Sequence, residues 1–332
     1  MWFSFPPVTG ADSQARRKAL PESSGSAHSI LWTPGRDGVW VYVPPRMMAG
    51  SLDKPLDLIA HRGEGTLVGA FRCPATDPRF KDSGPIQNDI FVFPRSSVRI
   101  RHAGGPSFIA DQTVATVYNR GQLYDRSRVS EEGDRSDWFA VPRDVAMEAV
   151  IANGHEPAAR GPFPFAMARV DDATYLKQRR LFRSAMRGAA KEAIDEAIYA
   201  MLDDVVAAAA TRAARPAPVD PRARGIADEI RSLVSARFEE AWSLSRLTAH
   251  FHLSPFALAR AFRKATGSTI HRYLVTLRLR ASLERLERPR VDLSAVALDL
   301  GFASHSHFSF AFGRSFAESP SACRKTLGGA GF

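Results

Sequence analysis

Residues 244–316 carry the same helix-turn-helix pattern twice, joined by one long helical stretch, and this duplication limits the possible folds more than any other feature. In the first copy Leu244, Leu247, Thr248 and Phe251 share a helical face, Leu253 and Ser254 make a turn, and Phe256, Leu258, Ala261 and Phe262 open a second helix. In the second copy Leu293, Val296, Ala297 and Leu300 precede Gly301-Phe302-Ala303-Ser304, and Phe308, Ala311 and Phe312 follow. Aligned on the turns, Leu247 matches Val296, Phe251 matches Leu300, Ser254 matches Ser304, Leu258 matches Phe308 and Phe262 matches Phe312. Ser254 and Ser304 are each able to accept a bond from an orphan backbone amide, and Pro255 at the first helical position gives up no needed donor. The connecting helix, residues 269–286, is expected to bury Ile270, Tyr273, Leu274, Leu277, Leu283 and Leu286 and to expose Arg272, Arg278, Arg280 and Arg285.

A chain of 332 residues has room for two domains with separate cores. Its formal charge is +10, and residues 225–332 hold fifteen Lys and Arg against nine Asp and Glu, an excess that fits an electrostatic footprint for phosphates. No run of about twenty apolar residues exists, which excludes a membrane-spanning helix, and the aromatic, proline-rich start lacks the features of a signal peptide. A cytoplasmic location and no membrane partner are therefore expected. Two distant cysteines, Cys73 and Cys323, read as ordinary thiols and cannot form a thiolate zinc site.

The expected class is multi-domain α+β: an antiparallel β barrel or sandwich with following helices, then an all-α domain. Residues 1–30 lack an apolar period and read as disordered. Residues 31–153 read as a β-rich domain, because short β-branched and aromatic runs alternate there with turn residues, and Pro142-Arg143-Asp144 starts a helix at its end. Whether residues 1–46 belong to the native start is open, with Met47 and Met48 as alternatives. Residues 154–210 contain two amphipathic helices that either cover the β domain or dimerise. Pro216, Pro218 and Pro221 mark a linker at 211–224, and residues 225–328 hold the duplicated unit, led by a helix over 227–238.

The pattern resembles the C-terminal DNA-binding domain of the AraC/XylS family of bacterial transcription regulators. The residues that carry the resemblance are Leu253-Ser254-Pro255, Phe262-Arg263-Lys264-Ala265-Thr266-Gly267, Ala297-Leu298-Asp299-Leu300-Gly301-Phe302, Ser306-His307-Phe308-Ser309 and Ser319-Pro320-Ser321. Phe93-Pro94-Arg95 and Gly133-Asp134-Arg135 look like the cupin-type sensor of some members. The resemblance implies double-stranded promoter DNA as partner, with a small-molecule effector, a homodimer and, for an activator, RNA polymerase as further expectations. It implies DNA contacts from Phe256, Ala259, Arg260, Arg263 and Lys264 in the first unit, and from His305, Ser306, Ser309 and Phe310 in the second. Arg260 suits guanine, whereas Arg263 and Lys264 suit phosphates. The chain departs from the family at Phe310, where arginine is frequent, and at Cys323, where an aromatic is common; Gly313 should also weaken its helix.

No cofactor or metal is expected. His61, His102 and Cys73 are the metal-ligand types in the β region, but a metal-binding cupin's spacing is missing. Trp40, Phe71, Phe91, Phe93, Tyr118 and Trp138 are able to line a pocket or fill a core, and Asp134 and Asp137 read as a surface turn. The alternative to a non-enzymatic regulator is a cupin-type enzyme, or a DNA-repair alkyl transferase fused to a DNA-binding domain.

Overall fold

The computed structural model describes residues 31–34, 40–43, 56–81, 84–213, 220–288 and 290–328. The expected disorder of residues 1–30 and residues 214–219 of the expected linker lie outside these. Residues 1–55 form one unit, in which strands β1 (Leu31–Pro34) and β2 (Trp40–Val43) pair antiparallel.

Residues 56–332 form the second unit. Its larger sheet has six antiparallel strands: β3 (Asp57–Arg62), β4 (Leu67–Cys73), β5 (Asp89–Pro94), β8 (Val114–Tyr118), β10 (Asp134–Val141) and β11 (Met167–Arg169), in the order β11-β8-β5-β10-β4-β3. A smaller sheet has β6 (Val98–His102) between β7 (Ser107–Ala110) and β9 (Tyr124–Arg128). The sheets share no strand pairing, so the arrangement is a sandwich and not a closed barrel. Strand alternation sorts the residues. Ile90, Val92 and Trp138 face the smaller sheet across a cavity, while Phe91, Phe93 and Phe139 face the helices and are fully buried.

Helices α1 (Arg143–Ala152), α2 (Asp172–Met186) and α3 (Lys191–Ala213) cover that second face. Asp171 caps α2 by accepting from the Thr174 amide at 2.8 Å. Ile194, Ile198, Met201, Leu202 and Val205 of α3 are all buried within the chain.

After α3 come α4 (Pro221–Ala236), α5 (Leu244–Phe251), α6 (Pro255–Thr266), α7 (Ile270–Leu286), α8 (Leu293–Asp299), α9 (His305–Phe316) and α10 (Pro320–Gly328). The leading helix starts earlier than its apolar stripe indicates. Asp220 accepts from the Arg222 amide at 3.0 Å and Pro221 fills the first helical position, so a proline that reads as linker is a helix start. Two cores hold these helices. Ile230, Val234, Leu247, Leu258, Phe262 and Leu277 pack together around the first unit. The second unit's Val296, Phe308, Phe312 and Phe316 instead join the core of α2, α3 and the sheet.

Arg278 and Arg280, expected in solvent, are 8 % and 3 % exposed. A helical wheel drawn on one domain misses the second layer that packs on α7. Arg280 donates to the Gln112 carbonyl at 2.6 Å, the Val170 carbonyl at 2.8 Å and the Asp172 carboxylate at 2.9 Å. Asp134 and Asp137, expected on a surface turn, are likewise buried in β10. Arg126 pairs with Asp134 at 2.8 Å, and Arg179 bridges Asp137 to Glu287 at the end of α7.

Asp111, just after β7, is fully buried. It accepts from Arg231 of α4 at 2.8 Å, Tyr273 of α7 at 2.7 Å and Thr113 at 2.6 Å. Burial alone would raise this carboxyl; the Arg231 charge and the hydroxyl donors hold it below its usual range. Removing one partner of a buried pair leaves the other charge uncompensated. Asp111→Ala should therefore destabilise the chain by about 3–5 kcal/mol, whereas Asp125→Ala, at an exposed pair with Arg101, should change stability by less than about 1 kcal/mol. Urea denaturation of both variants checks this contrast.

Candidate nucleic-acid interface

In the first unit Ser243 caps α5, and His252 ends it in the left-handed region at φ 51°. The chain re-enters a helix at Ser254, whose hydroxyl accepts from the Ala257 amide at 3.2 Å. Burial of Leu258 and Phe262 against Leu247 fixes the rotation of α6. Its opposite face then presents Phe256, Ala259, Arg260, Arg263 and Lys264, all exposed, at the i, i+3, i+4, i+7, i+8 spacing of one helical stripe. Phe256 is 74 % exposed, so it contributes little to the core.

The second unit repeats the construction. Ser304 accepts from the His307 amide at 3.1 Å, and Phe308, Phe312 and Phe316 set the buried face of α9. His305, Ser306 and Phe310 are exposed, while Ser309 is half-buried and shares a 3.3 Å hydrogen bond with His305 Nε2. Helix α9 continues through Gly313. Arg314 lies one turn beyond Phe310, with its guanidinium 6.0 Å from the Phe310 ring. Sequence reading missed Arg314, although its i+4 relation to Phe310 was an available signal. Neither α6 nor α9 contains an acidic residue.

Arg278 fixes the frame between the units. It donates to the carbonyls of Phe238 at 2.8 Å, Glu240 at 2.7 Å and Gly301 at 2.6 Å, tying α7 to the approach to α5 and to the second turn. Gly301 adopts φ +79°, and a Cβ there would stand 2.5 Å from the Glu239 carbonyl oxygen. Between the units runs a groove of about 940 Å³, whose walls include His271 and Arg272 from α7 and Phe310 and Arg314 from α9.

The candidate metal ligands of the β region do not converge. His61 bonds Asp195 at 2.8 Å, Cys73 is buried, and His102 packs between Phe108 and Tyr118, where burial depresses its pKa to about 4. Among the described residues no three His, Cys, Asp or Glu side chains are grouped to hold a metal, and no helix is long and apolar enough to cross a membrane. Both cysteines are fully buried, and burial raises both thiols, Cys323 to about 12. An alkyl-accepting thiol needs access and thiolate character, and neither cysteine has them. Of the six aromatic candidates, Phe71, Tyr118 and Trp138 line the cavity between the sheets, Phe91 and Phe93 fill the core, and the Trp40 side chain lies outside the described residues.

A sequence model of the helix-turn-helix domain matches residues 247–326. Among similar proteins, the HTH-type transcriptional activator RhaS of Escherichia fergusonii is 36% identical over 88 residues, covering 26% of this chain and 32% of that protein. The Msm operon regulatory protein of Streptococcus mutans is 26% identical over 100 residues, covering 30% of this chain and 36% of the relative. The chain thus spans about a third of the length of these curated relatives. A crystal structure of ToxT from Vibrio cholerae aligns over 80% of this chain and 99% of its own, with 11% identity and a TM-score of 0.31.

The two turns differ in what they tolerate. Gly301→Ala should destabilise the chain by about 1–3 kcal/mol, since it imposes left-handed strain and a backbone clash. Ala317 ends α9 at φ 56°, and Ala317→Gly should be neutral or stabilising by up to about 1 kcal/mol. Thermal or urea unfolding of the two variants separates these outcomes.

Proposed function

We propose that this chain, whose residues 247–326 form a helix-turn-helix domain of the AraC type, is a transcription regulator that binds promoter DNA sequence-specifically and responds to a small molecule held in its β-rich region. The observation that carries the reading is the pair of serine-capped helices, α6 and α9, each rotated by a buried phenylalanine face so that a carboxylate-free face meets solvent. The division of labour follows the sequence: residues 31–153 sense, 154–210 support, 211–224 connect and 225–328 bind DNA. Double-stranded DNA is the partner, and the same reading implies a homodimer and, for an activator, RNA polymerase.

In this mechanism α6 and α9 enter successive major-groove segments. Arg260 makes a bidentate contact to guanine O6 and N7, and Phe256 meets a thymine methyl. Ala259 adds a small apolar contact. Arg263, Lys264 and Arg314 neutralise phosphates, which positions the protein without reading sequence. His305, Ser306 and Ser309 supply neutral polar contacts from α9, and Phe310 contributes apolar surface. The first unit therefore discriminates bases more strongly than the second.

A ligand response is supported by chain connectivity. Ala110 lines the cavity between the sheets, and the next residue, Asp111, is the carboxylate held by Arg231 and Tyr273 of the DNA-binding helices. A shift of β7 on ligand binding would load that contact directly.

Selection of binding sites from random duplexes, followed by mobility shifts across salt concentrations, tests the reading. Arg260→Ala should cost about 1–3 kcal/mol and relax the preference at one base position, whereas Lys264→Ala should weaken every sequence alike and reduce the salt dependence. Absence of any sequence preference at every salt concentration would overturn the proposal.

A further inference from the structure

The cavity between the two sheets has a volume of about 410 Å³, within the range that holds a metabolite-sized molecule. Its walls are mainly aromatic and aliphatic, with both carboxylates at one end. Asp57 and Asp134 both line it, at neighbouring register positions: Asp57 pairs with Phe71 across β3 and β4, and Asp134 pairs with Cys73 across β10 and β4. Arg126 compensates Asp134 at 2.8 Å, and its guanidinium stacks on Phe71 at 5.0 Å and Phe80 at 4.9 Å. Two carboxylates thus face one guanidinium, and among the described residues no ion pair engages Asp57.

Asp57 is held in place for a different contact. Its Oδ1 accepts from Trp138 Nε1 at 2.8 Å. The indole in turn lies across Gly69, where a Cβ would stand 2.4 Å from the ring. Gly69 and Asp57 together fix the indole with its carboxylate at the rim and the rings of Tyr118 and Tyr124, 5.0 Å apart, among the other walls. The cation that lines the wall is distant from Asp57. A bulge between Ile59 and His61 shifts the register of β3, and Arg62 lines the cavity opposite Leu67, at the far end of the strand from Asp57.

We propose that this cavity binds a small organic cation, an amine carried on an aromatic or aliphatic body, with the ammonium between Asp57 and the Trp138 ring and the body along the apolar walls. A cation there gains a carboxylate partner beside an aromatic ring, whereas a carboxylate in the same place meets two like charges offset by only one guanidinium. The assignment rests on the reading of the β-rich region as the sensing part and adds the chemical class of its ligand.

Isothermal titration of the full chain with 2-phenylethylamine and tryptamine, against 2-phenylethanol and 3-phenylpropionate as neutral and anionic matches, tests it. The amines should bind at least ten-fold more tightly than either match. Asp57→Asn keeps an acceptor for the indole and removes the charge, so it should abolish the preference for amines. Trp138→Phe should weaken the amines several-fold while leaving some discrimination. The proposal is overturned if 3-phenylpropionate or 2-phenylethanol binds as tightly as the amines, if Asp57→Asn leaves the preference intact, or if no amine binds a preparation that still shifts its selected DNA. Amine binding by protein that shows no sequence preference for DNA would instead sustain the ligand class and overturn the regulator.

Discussion

The structure of residues 56–332 depends on a set of buried guanidinium groups that join its β-rich and helical parts. Arg231 and Tyr273 converge on Asp111, Arg280 spans the Gln112 and Val170 carbonyls, and Arg179 bridges Asp137 and Glu287. Apart from the Arg179–Asp137 pair, which lies 42 residues apart within one part, each contact runs from one part to the other across more than a hundred residues of chain. Buried ion pairs are not generous contributors to stability, because desolvation offsets much of their attraction. What they supply is geometry: a guanidinium held by several fixed acceptors admits few alternative positions. The orientation of α4 and α7, and through them of α6 and α9, is thereby referred to the sandwich.

This arrangement gives the two helix-turn-helix units different mechanical settings. The first has its own small core and meets the sandwich through the Arg231–Asp111 contact. The second shares its core with α2, α3 and the six-stranded sheet. Arg278 ties the units to one another through backbone carbonyls on both sides. A change in the cavity that moved β7 would therefore act first on α4 and α7, while α9 stayed referenced to the main core. The asymmetry in exposed chemistry, with three cations on α6 and one on α9, runs in the same direction.

Much of this was legible in the sequence, because it rests on local physics. The serine caps at Ser254 and Ser304 and the buried stripe of Leu258 and Phe262 follow from helical period and capping, whereas the exposed stripe from Phe256 to Lys264 was singled out by the family resemblance. Strand spacing alone did not separate the aromatic candidates into cavity and core faces; that sorting needed the second sheet and the covering helices. Arg278, Arg280, Asp134 and Asp137 were misread as solvent-facing for one reason. Charged residues look exposed unless the element that covers them is known, and their partners lie far along the chain. The placement of Arg62 was equally hidden, since it depends on a bulge that sequence alternation does not reveal.

The proposed regulator sets two helices, α6 and α9, against the same face of a duplex. Hydroxyl-radical footprinting on a selected site should therefore show two protected backbone patches on one face, separated by about one helical turn, roughly 34 Å. A single protected patch, or protection spread evenly around the duplex, would contradict it.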